Sequence, residues 1–334
     1  MFDLISIGDC TVDHFFKIHD AHLAFSVDKT KQELCINYGA KLPAENYYQM
    51  VAGNAANTAV GAARLGLKTA IYINVGSDAG GKLALDCFKE EGVSTRYAVV
   101  NKEMSSNASA VINFRGERTI LVYHQPWHYQ LPDLDRTKWV YFTSVSHSFT
   151  QSYLISQLEG YLERIGAKLA FNPGTFQLEY GVKKFPKLLS LTTLLVVNRD
   201  EAGMILGCEA QTEPMELLVK LADLGPQMVV ITDGEKGSFG FDGSKFTKLG
   251  IFPATVADKT GAGDAFAIGT LAGLFHGEDL PEAMRWGAAN SASVVEQIGA
   301  QNGLLSFEKI QEKLRKESVV AAKNFSGIHA MIKI

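Results

Sequence analysis

The chain has 334 residues, 46% hydrophobic and 20% charged, with 31 Gly against 9 Pro. That composition excludes a disordered, collagenous or fibrous protein and leaves one large α/β domain or two medium ones. Lys and Arg number 32 against 36 Asp and Glu, a formal net charge of −4. Neither nucleic acid nor a membrane surface is therefore expected as a partner, although backbone N–H groups and helix dipoles could still hold a small anion.

Short β-branched runs alternate with segments of helical period at 4–7, 54–65, 69–75 and 80–91, the pattern of βαβ units feeding a parallel sheet. Residues 14–50 are poor in helical period and contain the alternating run 34–38. Between 99 and 123 two period-2 runs joined at 115–117 predict an antiparallel hairpin. Together these two segments predict a small sheet projecting from the main body. After Trp139 the alternation resumes, with strands at 140–143, 168–172, 194–198 and 228–232 and helices at 151–164 and 215–224. A hairpin near 240–246 and helical stretches at 263–275, 281–297 and 306–316 complete the pattern. With no repeat, low-complexity tract or Pro/Ser-rich linker, the expectation is a single domain over 1–334 with a lid formed by about 14–50 and 99–125.

The longest apolar stretch, 262–275, is interrupted by an Asp and falls short of the roughly 18 residues of a membrane span. Cys10, Cys35, Cys87 and Cys208 form neither a CxxC nor a Cys/His cluster and read as small side chains in a reducing compartment. The opening MFDLISIGDC has no basic n-region, so no secretory signal is expected and the location is read as cytoplasmic.

The chemistry concentrates in 258–264, Asp-Lys-Thr-Gly-Ala-Gly-Asp, ahead of an apolar helical run. Taken alone, Asp264 reads as a helix cap. Two glycines beside it add a second reading. Without Cβ atoms, Gly261 and Gly263, with Ala262 between them, let backbone N–H groups approach a ligand, and the helix aims its positive end at the same point. A carboxylate at the mouth of such an anion hole would repel the anion it borders. Its natural role is general base, accepting the proton of a hydroxyl that attacks a phosphoryl group. The helix terminus is expected to keep it ionised at neutral pH.

This segment resembles the second signature, D-T-x-G-A-G-D, of the ribokinase-like, PfkB-type carbohydrate kinase family. Residues 52–59, Ala-Gly-Asn-Ala-Ala-Asn-Thr-Ala, running on to 63–66, resemble the first. Between and beyond them, 75–81 is similar to V-G-x-D-x-x-G, 198–201 to N-x-x-E and 232–237 to T-x-G-x-x-G, all in family order. The resemblance implies a three-layer α/β/α sandwich with a mainly parallel central sheet and a small β-sheet lid. It also implies ATP-dependent transfer of a phosphoryl group to a sugar hydroxyl, with Mg²⁺ on the phosphates.

Residue by residue, the resemblance places Asp13 on sugar hydroxyls, where the local reading is a loop Asp in a turn. Gly53, Asn54 and Asn57, locally helix caps, would complete the sugar pocket, with Asn57 in direct contact. Asn198 and Glu201 would organise Mg²⁺ and its waters indirectly, against the local reading of a cap with a first-turn acid. Thr232, Gly234 and Gly237 resemble the nucleotide-binding turn, and Asn290 matches a position near the adenine, where the alternative is a packed Asn. Gly76, Gly81 and Lys82 imitate a P-loop, but Leu83 stands where Ser or Thr must reach Mg²⁺.

Three positions depart from the pattern. Ala52 replaces a Gly and would tighten the sugar pocket, and Lys259 stands where Thr is common. Gly303 falls where related enzymes often offer a hydroxyl to a monovalent cation, while Asp258 is retained and could hold K⁺ with the loop 299–303. The aromatics Tyr38, Tyr47, Tyr48, Tyr123 and Trp127 could stack on a sugar or base, or form a homodimer through the lid. The expected acceptor is a sugar, with a nucleoside, as in adenosine-type kinases, as the alternative. A dinucleotide-dependent oxidoreductase would need G-x-G-x-x-G after the first strand, where Gly8 stands alone. The third reading is a catalytically silent ligand-binding relative.

Overall fold

Strands that are apolar at odd and even positions alike need cover on both faces. In this protein Ile5, Ile7, Val140, Phe142, Leu169, Phe171, Leu195 and Val197 pack on one side with helices Leu154–Ile165, Arg199–Leu206 and Pro214–Ala222. Their neighbours Leu4, Trp139, Tyr141, Ala170, Leu194 and Val196 face the other way, onto helices Ala262–Phe275, Leu280–Val295 and Phe307–Lys316. Period 2 along each strand thus produces the three-layer α/β/α sandwich. The computed structural model describes residues 1–25, 32–115, 117–208, 212–317 and 323–325.

The nine-stranded main sheet runs Lys323–Phe325, Phe246–Leu249, Ser238–Phe241, Met228–Thr232, Thr192–Asn198, Lys168–Phe171, Thr137–Phe142, Phe2–Ile7, Thr69–Tyr72. From Met228–Thr232 to Thr69–Tyr72 every pairing is parallel, and the three strands at the other edge are antiparallel. The mainly parallel sheet expected from the sequence is present. Among the described residues no helix is long and apolar enough to cross a membrane.

A separate four-stranded sheet has the order Glu117–Tyr123, Ala108–Phe114, Thr11–Ile18, Ala44–Ala52. It differs from the sequence expectation in three ways. Its first strand begins at Thr11, so Asp13 lies in a strand and not in a turn. The run 34–38 supplies only Gln32–Cys35, which pairs with His22–Phe25 in a ribbon of its own. The run 69–75 breaks in two, because Asn74–Gly76 leaves the main sheet to pair with Val99–Asn101, which therefore does not join the small sheet. Gly81 lets the following helix close onto the end of that strand: a Cβ there would lie 1.9 Å from the Gly76 carbonyl oxygen. Asp78 caps helix Ala79–Glu90 through Gly81 N–H (2.9 Å) and accepts from Ser106 N–H (2.8 Å) and Oγ (2.7 Å). Lys82, exposed, pairs with Asp86 one turn on, so the P-loop imitation is a structural joint. Gly116 in the expected hairpin turn, and residues 26–31 of the expected lid, lie outside the described residues.

Helix Ala262–Phe275, which opens at the second signature, is held by close backbone contact with Leu280–Val295. A Cβ on Gly269 would stand 2.8 Å from Gly287 Cα, and one on Gly273 2.7 Å from Ala283 Cα. Both approaches are too close for a side chain. Gly269→Ala is expected to destabilise the protein by about 1–3 kcal/mol in urea unfolding, the usual cost of overpacking. An unchanged unfolding midpoint would show that the two helices are free to separate.

Candidate active site

Gly261 precedes helix Ala262–Phe275 with φ of 77°, and a Cβ there would lie 2.5 Å from Ala300 Cβ, so conformation and space both demand glycine. The N–H groups of Gly261, Gly263 and Asp264 have no acceptor among the described residues. Gly263 is glycine for a different reason, since its Cβ would enter open space. Three free donors converge at the positive end of a fourteen-residue helix.

Asp264 is buried beside them and its Oδ2 accepts from Asn57 Nδ2 at 2.8 Å. Burial pushes its carboxyl up to about 6, against the pull of the Asn57 and Asn54 amides. The carboxylate is thus ionised at neutral pH, as expected, though its shift is upward. Asn57 follows Gly53 and Asn54 at the start of helix Asn54–Arg64. Gly53 has φ of 98°, and its Cβ would stand 2.8 Å from the Asp9 carbonyl, which seats this helix against the end of the first strand. The sequence reading placed Asn57 on the sugar. Here its Nδ2 goes to Asp264 and its Oδ1 accepts from Gln301 Nε2 at 3.1 Å, so both ends of the amide already have partners.

A cavity of about 320 Å³ opens beyond the helix terminus, with Thr232, Gly234, Gly237, Phe252, Gly263 and Ser291 in its wall. Gly237 is required there, because a Cβ would meet the Leu249 carbonyl at 2.0 Å. Asn290 is a correction. It is fully buried, donates to Ala265 O at 2.9 Å and accepts from Leu305 N–H at 2.9 Å, and its neighbour Ser291 faces the cavity instead. Ala288, Ser291, Ala292 and Val295, spaced i, i+3, i+4 and i+7, form the cavity face of this helix, and Asn290 lies off it.

Asn198 and Glu201 form a reciprocal capping box, Asn198 Oδ1 accepting from Glu201 N–H and Glu201 Oε2 from Asn198 N–H, both at 2.8 Å. Burial raises the Glu201 carboxyl, with Asp264 adding to that rise. Its second oxygen has no partner among the described residues, which fits an indirect contact through a metal-bound water. Arg199 ties the two motifs together through Asp233 at 2.7 Å and the Thr212 carbonyl at 3.0 Å.

On the small-sheet side, Asp13 is buried with Oδ1 unpartnered, and burial raises its carboxyl to about 6 while Arg118 draws it down. Asp9 is buried too, with Oδ1 taking the Tyr129 hydroxyl at 2.6 Å and Oδ2 left open 3.8 Å from His124 Nδ1. Asp258 does not fit K⁺. Its Oδ1 accepts from Arg118 Nη1, Thr260 N–H (2.9 Å) and Thr260 Oγ1 (2.7 Å), and its Oδ2 from Gly299 N–H (3.0 Å). A carboxylate ringed by donors and a guanidinium is not a cation's oxygen cage. The sequence gives no role to Arg118, Arg199, Asp9 or Gln301, because each acts through a partner at least 13 residues away and no local pattern marks that pairing.

The pfkB family carbohydrate kinase model matches residues 22–306. The chain belongs to that family. It is 30% identical over 291 residues to a ribokinase of Haemophilus influenzae, covering 83% of this chain and 91% of that one. Arabidopsis thaliana ribokinase complexed with ribose and ATP superposes with a TM-score of 0.78 at 22% identity, over 94% of this chain and 99% of that one. A Methanocaldococcus jannaschii nucleoside kinase superposes with a TM-score of 0.73 at 20% identity, over 94% and 98%. This pfkB-family protein is a phosphotransferase acting on an alcohol group, a carbohydrate kinase.

The raised Asp264 carboxyl has a consequence for stability. Because the folded value lies above the ordinary 3.8, ionisation of this carboxyl costs stability progressively between about pH 4 and about pH 6, and in full above that. Asp264→Asn is therefore expected to be at least as stable as wild type at pH 7, by up to about 3 kcal/mol, with the gain growing from pH 4 to 6 and level above. A lower melting temperature at pH 7 would return Asp264 to the role of helix cap.

Proposed function

We propose that this kinase transfers the γ-phosphoryl group of MgATP to a hydroxyl of a carbohydrate, with Asp264 as general base. The observation that carries this reading is a buried, ionised carboxylate beside the free N–H groups of Gly261 and Gly263 at the end of the cavity. The hydroxyl donates to Asp264 and, as its oxygen attacks the γ-phosphorus, the proton passes to the carboxylate. The charge developing on the phosphoryl oxygens falls to the loop from Gly261 through Ala262 and Gly263 to Asp264. Thr232, Gly234, Gly237 and Ser291 line the cavity that would take the nucleotide. Mg²⁺, when bound, would neutralise charge on the phosphates, and Glu201, oriented by Asn198, would help to hold it indirectly.

On the acceptor side, the open oxygen of Asp13 suits a sugar hydroxyl, with Gly53 and Asn54 at the wall. The small sheet acts as a lid whose closure excludes water. Its edge strand Glu117–Tyr123 is exposed along its length, Leu121 at 61% and Val122 at 55%, which supports pairing with a second copy's lid in a homodimer. Four free cysteines suit a cytoplasmic location. A nucleoside acceptor is the second reading, favoured by Phe15 and Tyr48 stacked at 4.8 Å on the same sheet.

The test is acceptor-dependent ADP release from MgATP across pentoses, hexoses, keto-deoxy acids and nucleosides. One sugar should give turnover that falls about 10²- to 10⁴-fold in Asp264→Asn. Turnover with nucleosides alone selects the second reading, and no acceptor-dependent ADP from any member overturns both.

A further inference from the structure

We propose that Gln301 is a positioning residue of the phosphoryl transfer, orienting the Asn57 amide so that its NH₂ end faces Asp264. The inference rests on the reading of Asp264 as the base. A carboxamide has two ends of nearly equal shape and opposite hydrogen-bonding character. Turned by 180°, Asn57 would present Oδ1 to Asp264 Oδ2 at 2.8 Å, two acceptors in contact. The choice is reinforced at the far end, where Gln301 Nε2 donates to Asn57 Oδ1 at 3.1 Å. Asp264, Asn57 and Gln301 are each under one-tenth exposed, at 7%, 4% and 7%, so water cannot stand in for either bond.

Gln301 has an amide of its own to orient; one contact does so and a second anchors its backbone. Its Oε1 faces the Cys87 thiol at 3.8 Å, a weak donor that suits the oxygen end and leaves Nε2 for Asn57. Its backbone carbonyl accepts from Arg64 Nη1 at 2.6 Å. Arg64 also reaches Leu304 O at 3.2 Å and is gripped by Glu91 through Nε at 2.9 Å and Nη2 at 2.5 Å. The result is a one-way relay, Cys87 to Gln301 to Asn57 to Asp264, linking helix Ala79–Glu90, the loop after Leu280–Val295, helix Asn54–Arg64 and helix Ala262–Phe275. Other groups facing Asp264 are Glu201, the Tyr141 hydroxyl and the Asn54 amide, none of which touches Gln301.

The test compares pH–kcat profiles with the acceptor that turns over. Wild type should lose kcat below about pH 6, where the base protonates. Gln301→Met, close in shape and without polar ends, frees the Asn57 amide. It should move that acid limb up by about one unit, a fall in kcat of about fivefold at pH 6, with KM for ATP unchanged. Gln301→Glu, which prefers the NH₂ end of Asn57, should move it at least as far. In an Asn57→Ala background neither substitution should shift the limb further. An acid limb that stays put in a folded Gln301→Met protein, or shifts that add independently of Asn57, overturns the proposal while leaving the base intact. A wild-type profile with no limb near pH 6 overturns the reading of Asp264 itself.

Discussion

The hydrogen bond from Asn57 to Asp264 joins residues 207 positions apart, 2.8 Å long and closed to solvent. An ionised carboxylate in such a place is costly unless a donor meets it, and one that drifts to its neutral form cannot take a proton. Asn57 is the donor, and the helix that carries it is seated by Gly53 against the carbonyl of Asp9, at the end of the first strand. The first and second signatures are therefore two halves of one interaction. The parallel sheet brings their helices together at its carboxyl edge, where doubly wound sheets gather ligands.

The glycines divide the labour around that bond. Gly261 and Gly237 are glycine because the chain itself fills the space a Cβ would need, Ala300 in one case and the Leu249 carbonyl in the other. Gly263 has nothing opposite, and its bare backbone borders the cavity where an anion would lie. A chain with net charge −4 can thus recognise a polyanion without a basic patch. Arg118, the guanidinium that reaches the loop from the small sheet, is committed to Asp258 and Thr260. That contact takes up a carboxylate oxygen of Asp258, the residue at which a monovalent cation is expected from the sequence.

How much of this was legible in the residues depended on the range of each interaction. The sheet, the order of its elements and the glycine-flanked helix start could be read, because period 2, helical period and the Gly-x-Gly at 261–263 are local patterns. Asp13 stands out as a candidate for sugar hydroxyls, but its local reading as a turn fails, since its strand is defined by partners at Met50 and Ser109 that no local pattern announces. Asn290 matched by position and failed by direction, because one step along a helix turns a side chain from cavity to core. Asn57 stands out by type, but residue type reveals only that an amide both donates and accepts, not that its Nδ2 faces Asp264 and its Oδ1 faces Gln301. Gln301 and Arg118 belong to segments without a motif and gain meaning only when the chain has folded around Asp264 and Asp258.

The central claim is that Asp264 and the helix terminus flank the reacting centre. The direct measurement is a crystal structure of Asp264→Asn with MgATP and the acceptor that wild type phosphorylates. The account predicts that the receiving hydroxyl lies within hydrogen-bonding distance of the residue 264 side chain and in line with the γ-phosphorus, whose oxygens meet the N–H groups of Gly261 and Gly263. An acceptor bound with that hydroxyl turned away from residue 264, or a γ-phosphate remote from those glycines, would contradict it.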